Sequence, residues 1–267
     1  MFNKVLILLL CILELTACAT PTAHFANVAE DYGFHGFTVN SDVFDHQFYL
    51  NTTPNLSLNK EVLHVYLDGD GSPWNRQRWL NEDPTSRNPM ILELMHQDRV
   101  SSIFLGRPCY HGFNKSPPCH FKYWTSHRYS NEVVTSMVQA LKKWLEKNSF
   151  KRVVLIGYSG GGTLAVLMAP HIANVQTIVT LAANLDVAEW SRYHGYSPLT
   201  ESLNPAALSL NTDIKQIHIA GLKDQIVPAQ IIKSYTDKQV NATYLAYADY
   251  DHHCCWVKTW QSILSKF

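Results

Sequence analysis

RVVLIGYSGGGTLAVLM, residues 152–168, holds the chain's most informative change of pattern. Arg152 to Ile156 is apolar over the length of a buried strand. Gly157-Tyr158-Ser159-Gly160-Gly161 follows at once, and Gly162 to His171 reads as a helix of small residues. A G-x-S-x-G run between a strand and a helix carries its serine on a tight, strained turn. The glycines are needed because side chains there would collide with the neighbouring backbone. The turn lifts the hydroxyl above the sheet, and the helix that starts there offers free N–H groups and a partial positive charge. A phosphate-cradling loop is excluded, because no Gly-Lys-Ser/Thr follows and no G-x-G-x-x-G fits.

Similar strand-length runs stand on either side. EVLHVYL (Glu61 to Leu67) ends in Asp68-Gly69-Asp70-Gly71, and others cover Val100 to Leu105, Val175 to Leu181, Ile214 to Ala220 and Thr243 to Tyr247. Most are apolar throughout, as in a parallel sheet covered on both faces. Gly36 to Val39 and Gln47 to Leu50 read as an antiparallel pair at the sheet edge. Helices separate the runs. Val133, Val134, Met137, Val138, Leu141, Trp144 and Leu145 form one stripe behind a Ser130 cap. Trp256, Val257, Trp260, Ile263, Leu264 and Phe267 form another, and Pro228 suits a first helical turn. This alternation implies an α/β three-layer sandwich: a mostly parallel sheet, helices on both faces and a small cap insertion.

A serine hydroxyl is a weak nucleophile near neutral pH. It needs a base, and the base needs an orienting acid. Downstream of Ser159, Asp224 follows the strand ending at Ala220, with Asp186 after the preceding strand as its rival. Asp249-Tyr250-Asp251-His252-His253 follows the last strand and supplies two candidate bases. The His-His-Cys-Cys run does not read as a metal site, since four consecutive donors do not converge on one tetrahedral ion. Asp-Gly-Asp-Gly lacks the remaining ligands of a calcium loop.

Serine, acid and histidine in this order resemble the α/β-hydrolase superfamily over residues 31–267. Arg107-Pro108-Cys109, Trp124-Thr125, Arg128-Tyr129-Ser130, Ser202-Leu203-Asn204-Pro205 and His252 to Trp256 resemble more closely a group of bacterial secreted or lipid-anchored members. The resemblance implies a hydrolase without cofactor, with Ser159 as nucleophile, Asp224 as acid and His252, rather than His253, as base. It places an oxyanion hole at the N–H groups of Gly160 and Asp70, with Gly71 as the neighbouring alternative to Asp70. Asp68 departs from the usual His of that loop. His194 and His218 are expected on the surface or in the core. A cap at 185–212 would offer Trp190, Tyr193 and Tyr196 to a substrate pocket. Arg76, Arg78 and Arg107 are read as salt-bridged or solvated rather than as anion ligands.

The first 17 residues read as a signal peptide: Lys4, an apolar stretch from Val5 to Leu13, and Leu15-Thr16-Ala17-Cys18. That ending resembles a bacterial lipobox, which makes Cys18 the lipidated residue and residues 18–30 a tether. Ala19 favours the outer membrane of the cell envelope over the inner. In that oxidising compartment Cys109 and Cys119, flanking a Pro- and Gly-containing loop, are expected to form a disulfide. Cys254 and Cys255 stay open as a vicinal pair, free thiols or partners of the other two. Lys+Arg and Asp+Glu both number 22, so no basic excess points to nucleic acid. The expected activity is hydrolysis of a small-molecule or lipid ester at a membrane. Peptidase and acyltransferase chemistry share the same site pattern. The alternative is a non-catalytic envelope lipoprotein that uses the fold as a binding scaffold; protein partners are not readable.

Overall fold

A computed structural model describes residues 19–52, 60–75 and 78–267. The signal segment, Cys18 and Arg76 lie outside the described residues. In chain order the elements are α1 (Pro21–Asp31), β1 (Phe34–Asn40), β2 (Asp45–Asn51), β3 (Val62–Leu67), β4 (Trp74–Asn75), β5 (Trp79–Leu80), α2 (Met90–His96) and β6 (Ser102–Leu105). They continue with α3 (Asn131–Lys147), β7 (Arg152–Tyr158), α4 (Gly160–Met168), β8 (Val175–Leu181) and α5 (Val187–His194). The last are β9 (Lys215–Gly221), α6 (Ala229–Thr236), β10 (Ala242–Tyr247) and α7 (Trp256–Leu264).

Eight strands form one sheet in the order β1-β2-β6-β3-β7-β8-β9-β10. β1 pairs antiparallel with β2, and β2 with β6; every pairing from β6 through β10 is parallel. Side-chain alternation divides the strand residues between two cores. Leu63, Val65, Val153 and Leu155 meet α3, α4 and α6 on one face. Tyr66, Val154, Ile156 and Val179 meet α1, α2 and α7 on the other. Sheet and helices thus form the expected three layers. β4 and β5 make a separate two-stranded hairpin.

Strand register sets where the loops emerge. Leu67 lies beside Gly157, so the Asp68–Ser72 loop and the turn at Ser159 leave the sheet side by side. Tyr247 lies beside Gly221, which brings the segments carrying Asp224 and His252 out at a common level. These loops all sit beyond the carboxyl ends of parallel strands, where such sheets build their sites.

The expected tether is the main departure from the sequence reading. Residues 21–31 form a helix with a Thr20 cap and Pro21 in its first turn, and Phe25 and Ala29 are fully buried. Phe25 lies against the rings of Phe104, Tyr49 and His111. Burying such a ring contributes roughly 2–3 kcal/mol, which outweighs the short helix's own weak tendency to form. Pro228 stands as the cap before α6 rather than within it.

Candidate active site

Ser159 has φ 51° and ψ −123°, a backbone region that non-glycine residues avoid. Its N–H donates to Leu181 O at 2.9 Å, and its own carbonyl accepts from Gly162 N–H at 3.0 Å. The turn is held from both sides because its glycines have no room to change. A Cβ on Gly161 would enter the Leu67 and Asp68 carbonyls, and one on Gly160 would enter the Asp70 carboxylate. The Gly160 N–H opens α4 and has no acceptor among the described residues.

His252 Nε2 stands 3.0 Å from Ser159 Oγ, and His252 Nδ1 stands 2.8 Å from Asp224 Oδ2. An ionised Asp224 accepts the Nδ1 proton, which leaves Nε2 as the acceptor facing the serine hydroxyl. Asp224 is fixed in turn, because its Oδ1 accepts from the N–H groups of Ile226 and Val227, each at 2.8 Å. The His252 carbonyl accepts from Tyr158 OH and Trp256 Nε1, both at 3.0 Å, which clamps the histidine loop to β7 and α7.

The two alternatives left open by the sequence go elsewhere. His253 turns its Nδ1 to Tyr158 OH at 3.0 Å and is exposed. Asp186 caps α5, accepting from Glu189 N–H at 3.1 Å and from Asn204 Nδ2 at 3.0 Å. His218 is buried between Thr180 and Gln216, while His194 meets the Ile226 carbonyl. Cys109 and Cys119 are joined by a disulfide, with Cα atoms 5.4 Å apart. Cys254 and Cys255 are paired with each other.

Asp70 is the feature whose surroundings the sequence did not convey. Its Oδ1 accepts from Arg107 Nη1 at 2.6 Å, and its Oδ2 from Arg128 Nη1 at 3.0 Å. Tyr129 OH reaches both oxygens, at 2.9 and 2.7 Å. Burial alone would push this carboxyl up; the Arg128 and Arg107 charges, with hydrogen bonds from Arg107 and Tyr129, hold it down at about 2. The Asp70 backbone is also fixed, since its carbonyl accepts from Tyr110 OH at 2.9 Å and Gly69 O accepts from Arg107 Nη1 at 3.3 Å. The Asp70 N–H has no acceptor among the described residues. Arg107 therefore builds the loop beside Ser159, as its salt-bridged reading anticipated, and Arg78 is exposed. Asp68, on the same loop, is pushed up to about 7 by burial, against the opposing pull of the Gly69 N–H and the Arg107 charge.

Beside this cluster opens a cavity of about 580 Å³, walled by Trp74, Trp190, Tyr196, Leu199 and the Thr125–Arg128 segment. Trp190 and Tyr196 thus meet as expected, but Tyr193 does not join them. It is exposed, with its ring edge-on to His194, because it projects from α5 on another side than Trp190. Trp190 Nε1 donates to Ile226 O at 2.8 Å, tying α5 to the segment that carries Asp224. Residues 185–212 are stitched back onto the body: Ser202 Oγ donates to Ser126 O at 2.8 Å, and Leu203 N–H donates to Tyr129 O at 2.9 Å. Trp74, Thr125 and Arg128 were missed as wall residues. The one signal for Trp74 was its position just beyond the Asp68–Ser72 loop.

A family model described as serine hydrolase (FSH1) matches residues 32–254. No curated protein sequence matches the chain. Among solved structures, an esterase from Pyrococcus furiosus superposes with a TM-score of 0.61 at 13% identity, over 89% of this chain and 91% of that one. Est1E from Butyrivibrio proteoclasticus gives 0.57 at 12%, over 87% and 96%. Pyrococcus horikoshii acylaminoacyl peptidase gives 0.60 at 10%, over 88% of this chain but 41% of the peptidase, so the chain spans about two fifths of that protein's length. At these identities the likeness is one of fold.

Proposed function

The chain belongs to the serine hydrolase (FSH1) family, and from that premise we propose that it cleaves an ester or similar acyl bond through an acyl-enzyme on Ser159. The observation that carries this reading is the continuous path from Asp224 through His252 to Ser159 Oγ, at 2.8 and 3.0 Å, on a strained turn. His252 Nε2 takes the Ser159 proton as Oγ attacks the acyl carbonyl. Asp224 holds the ring and offsets the charge that the ring acquires. The N–H groups of Gly160 and Asp70 receive the developing oxyanion, and donors of this kind contribute about 10²- to 10³-fold each in rate. His252 then returns the proton to the leaving group as the acyl bond breaks. Water, deprotonated by the same nitrogen, releases the acid and restores Ser159.

We further propose that Cys18 carries acyl chains that hold the protein on the outer membrane of a bacterial envelope. The lipobox-like order of residues 15–18 supports this. Each buried methylene of such a chain contributes roughly 0.8 kcal/mol to membrane affinity.

Covalent labelling with a fluorophosphonate probe tests the catalytic reading. Wild type should label, and Ser159→Ala should not. Turnover of a short ester should fall by several orders of magnitude in S159A. A folded wild type that stays unlabelled would reject the mechanism and leave the scaffold reading in its place.

A further inference from the structure

The cluster behind the oxyanion loop has an unbalanced charge. One carboxylate, Asp70, faces two guanidinium groups, Arg107 and Arg128. Arg107 is fully committed at both Nη atoms: Nη1 serves Asp70 and Gly69 O, and Nη2 donates to Arg128 O at 2.6 Å. Arg128 is not. Its Nε donates to Thr125 O at 2.7 Å and its Nη1 to Asp70, while Nη2 has no partner among the described residues. Yet Arg128 is only 8% exposed, and it forms part of the wall of the 580 Å³ cavity.

The surplus positive charge of the cluster therefore reaches the cavity through this side chain. Asp68, the other acid near Arg107, bonds neither guanidinium, and its carboxyl, lifted to about 7, is only partly ionised near neutrality. Arg128 Nη2 keeps access to solvent, whereas the sealed, unpaired guanidinium nitrogen of the cluster is Arg107 Nε. The acceptor that best matches the open guanidinium edge of Arg128 is an anionic oxygen. The rings of Trp74, Trp190 and Tyr196, with Pro198 and Leu199, present apolar surface, and Thr125, Ser126 and Ser197 complete the wall. The volume lies within the range of small-ligand pockets.

Resting on the hydrolase reading above, we propose that this cavity takes the part of the substrate that bears a carboxylate or phosphate on an apolar body, and that Arg128 selects for it. The preferred substrate is then an ester with a second, anionic end. Arg128 acts on specificity through its free Nη2, separately from its hold on Asp70.

The test compares kcat/KM for three matched para-nitrophenyl esters: an adipate mono-ester, its terminal methyl ester, and an analogue ending in phosphate. Wild type should favour at least one charged ester over the neutral one by about tenfold or more, as a charge-assisted hydrogen bond implies. Whichever charged ester leads identifies the anion. In Arg128→Gln the charged-to-neutral ratio should fall to near one, and Arg128→Lys should restore part of it. Equal treatment of charged and neutral esters by wild type would overturn the proposal. So would an R128Q variant that slows all three by the same factor, which is what a purely structural arginine does; both results leave the hydrolase reading intact. Should R128Q not fold, inhibition of neutral-ester cleavage in wild type decides: phenylpentanoate should bind at least about tenfold more tightly than phenylpentanol. If no ester is cleaved, the hydrolase reading fails by itself. The same two ligands, followed by tryptophan fluorescence from Trp74 and Trp190, then test the cavity alone, and equal affinities would reject it.

Discussion

Asp68 and Asp70 stand two residues apart on one loop and titrate in opposite directions. Asp70 has two guanidinium partners and is held at about 2, whereas Asp68, with one N–H partner from Gly69, is pushed up to about 7 by burial. The raised Asp68 value has a consequence for stability. Between the ordinary carboxylate value near 4 and about 7, the folded chain binds more protons at Asp68 than the unfolded chain does. Stability therefore falls as pH rises through that window and levels off above it. Asp68→Asn removes the buried charge while keeping an acceptor for Gly69. It should stabilise the protein by on the order of 4 kcal/mol at pH 8 and by little below pH 4. Urea melts of both proteins at the two pH values check this, and an equal effect at both would contradict it.

The elements explain which parts of the molecule were readable in advance. The strands were legible because runs such as Val175 to Leu181 are apolar throughout, and a covered parallel sheet demands that. Ser159, Asp224 and His252 were legible as residues because each follows such a run within a few positions. The Asp70 cluster was not, since Arg107 and Arg128 lie 37 and 58 positions away, and no local pattern announces a contact of that range. α1 was misread for a different reason. Phe25, Val28 and Ala29 have helical spacing, but so few apolar residues form a weak signal until the Phe104, Tyr49 and His111 rings receive Phe25. Phe25→Ala should accordingly cost about 3–5 kcal/mol in urea unfolding, the range for emptying a buried aromatic site. A loss below about 1 kcal/mol would show that α1 is only loosely attached.

At the scale of the whole molecule, the position of α1 matters more than its stability. Its first turn sits against the active-site edge of the sheet: Thr22 N–H donates to Asp83 Oδ2 at 2.9 Å, and Thr22 Oγ1 lies 3.1 Å from Thr85 Oγ1. Trp74, Trp79 and Leu80 on the β4–β5 hairpin are exposed, as is Phe121, which shares a shallow pocket with Leu80. If Cys18 carries the acyl chains, only Ala19 and Thr20 separate it from the helix, a leash of about 10 Å at full stretch. A body held so closely cannot swing free. Its reach would then be limited to the headgroup layer beneath it, and the edge lowered toward that layer would be the one bearing Ser159. A flexible spacer of about 15 residues inserted after Ala19, which leaves the Thr20 cap in place, would lengthen the leash to tens of ångströms. Cleavage of an ester embedded in the same membrane should then slow several-fold, with turnover of a soluble ester unchanged. Unchanged rates on both would mean that the shortness of the leash has no bearing on which molecules the site can meet.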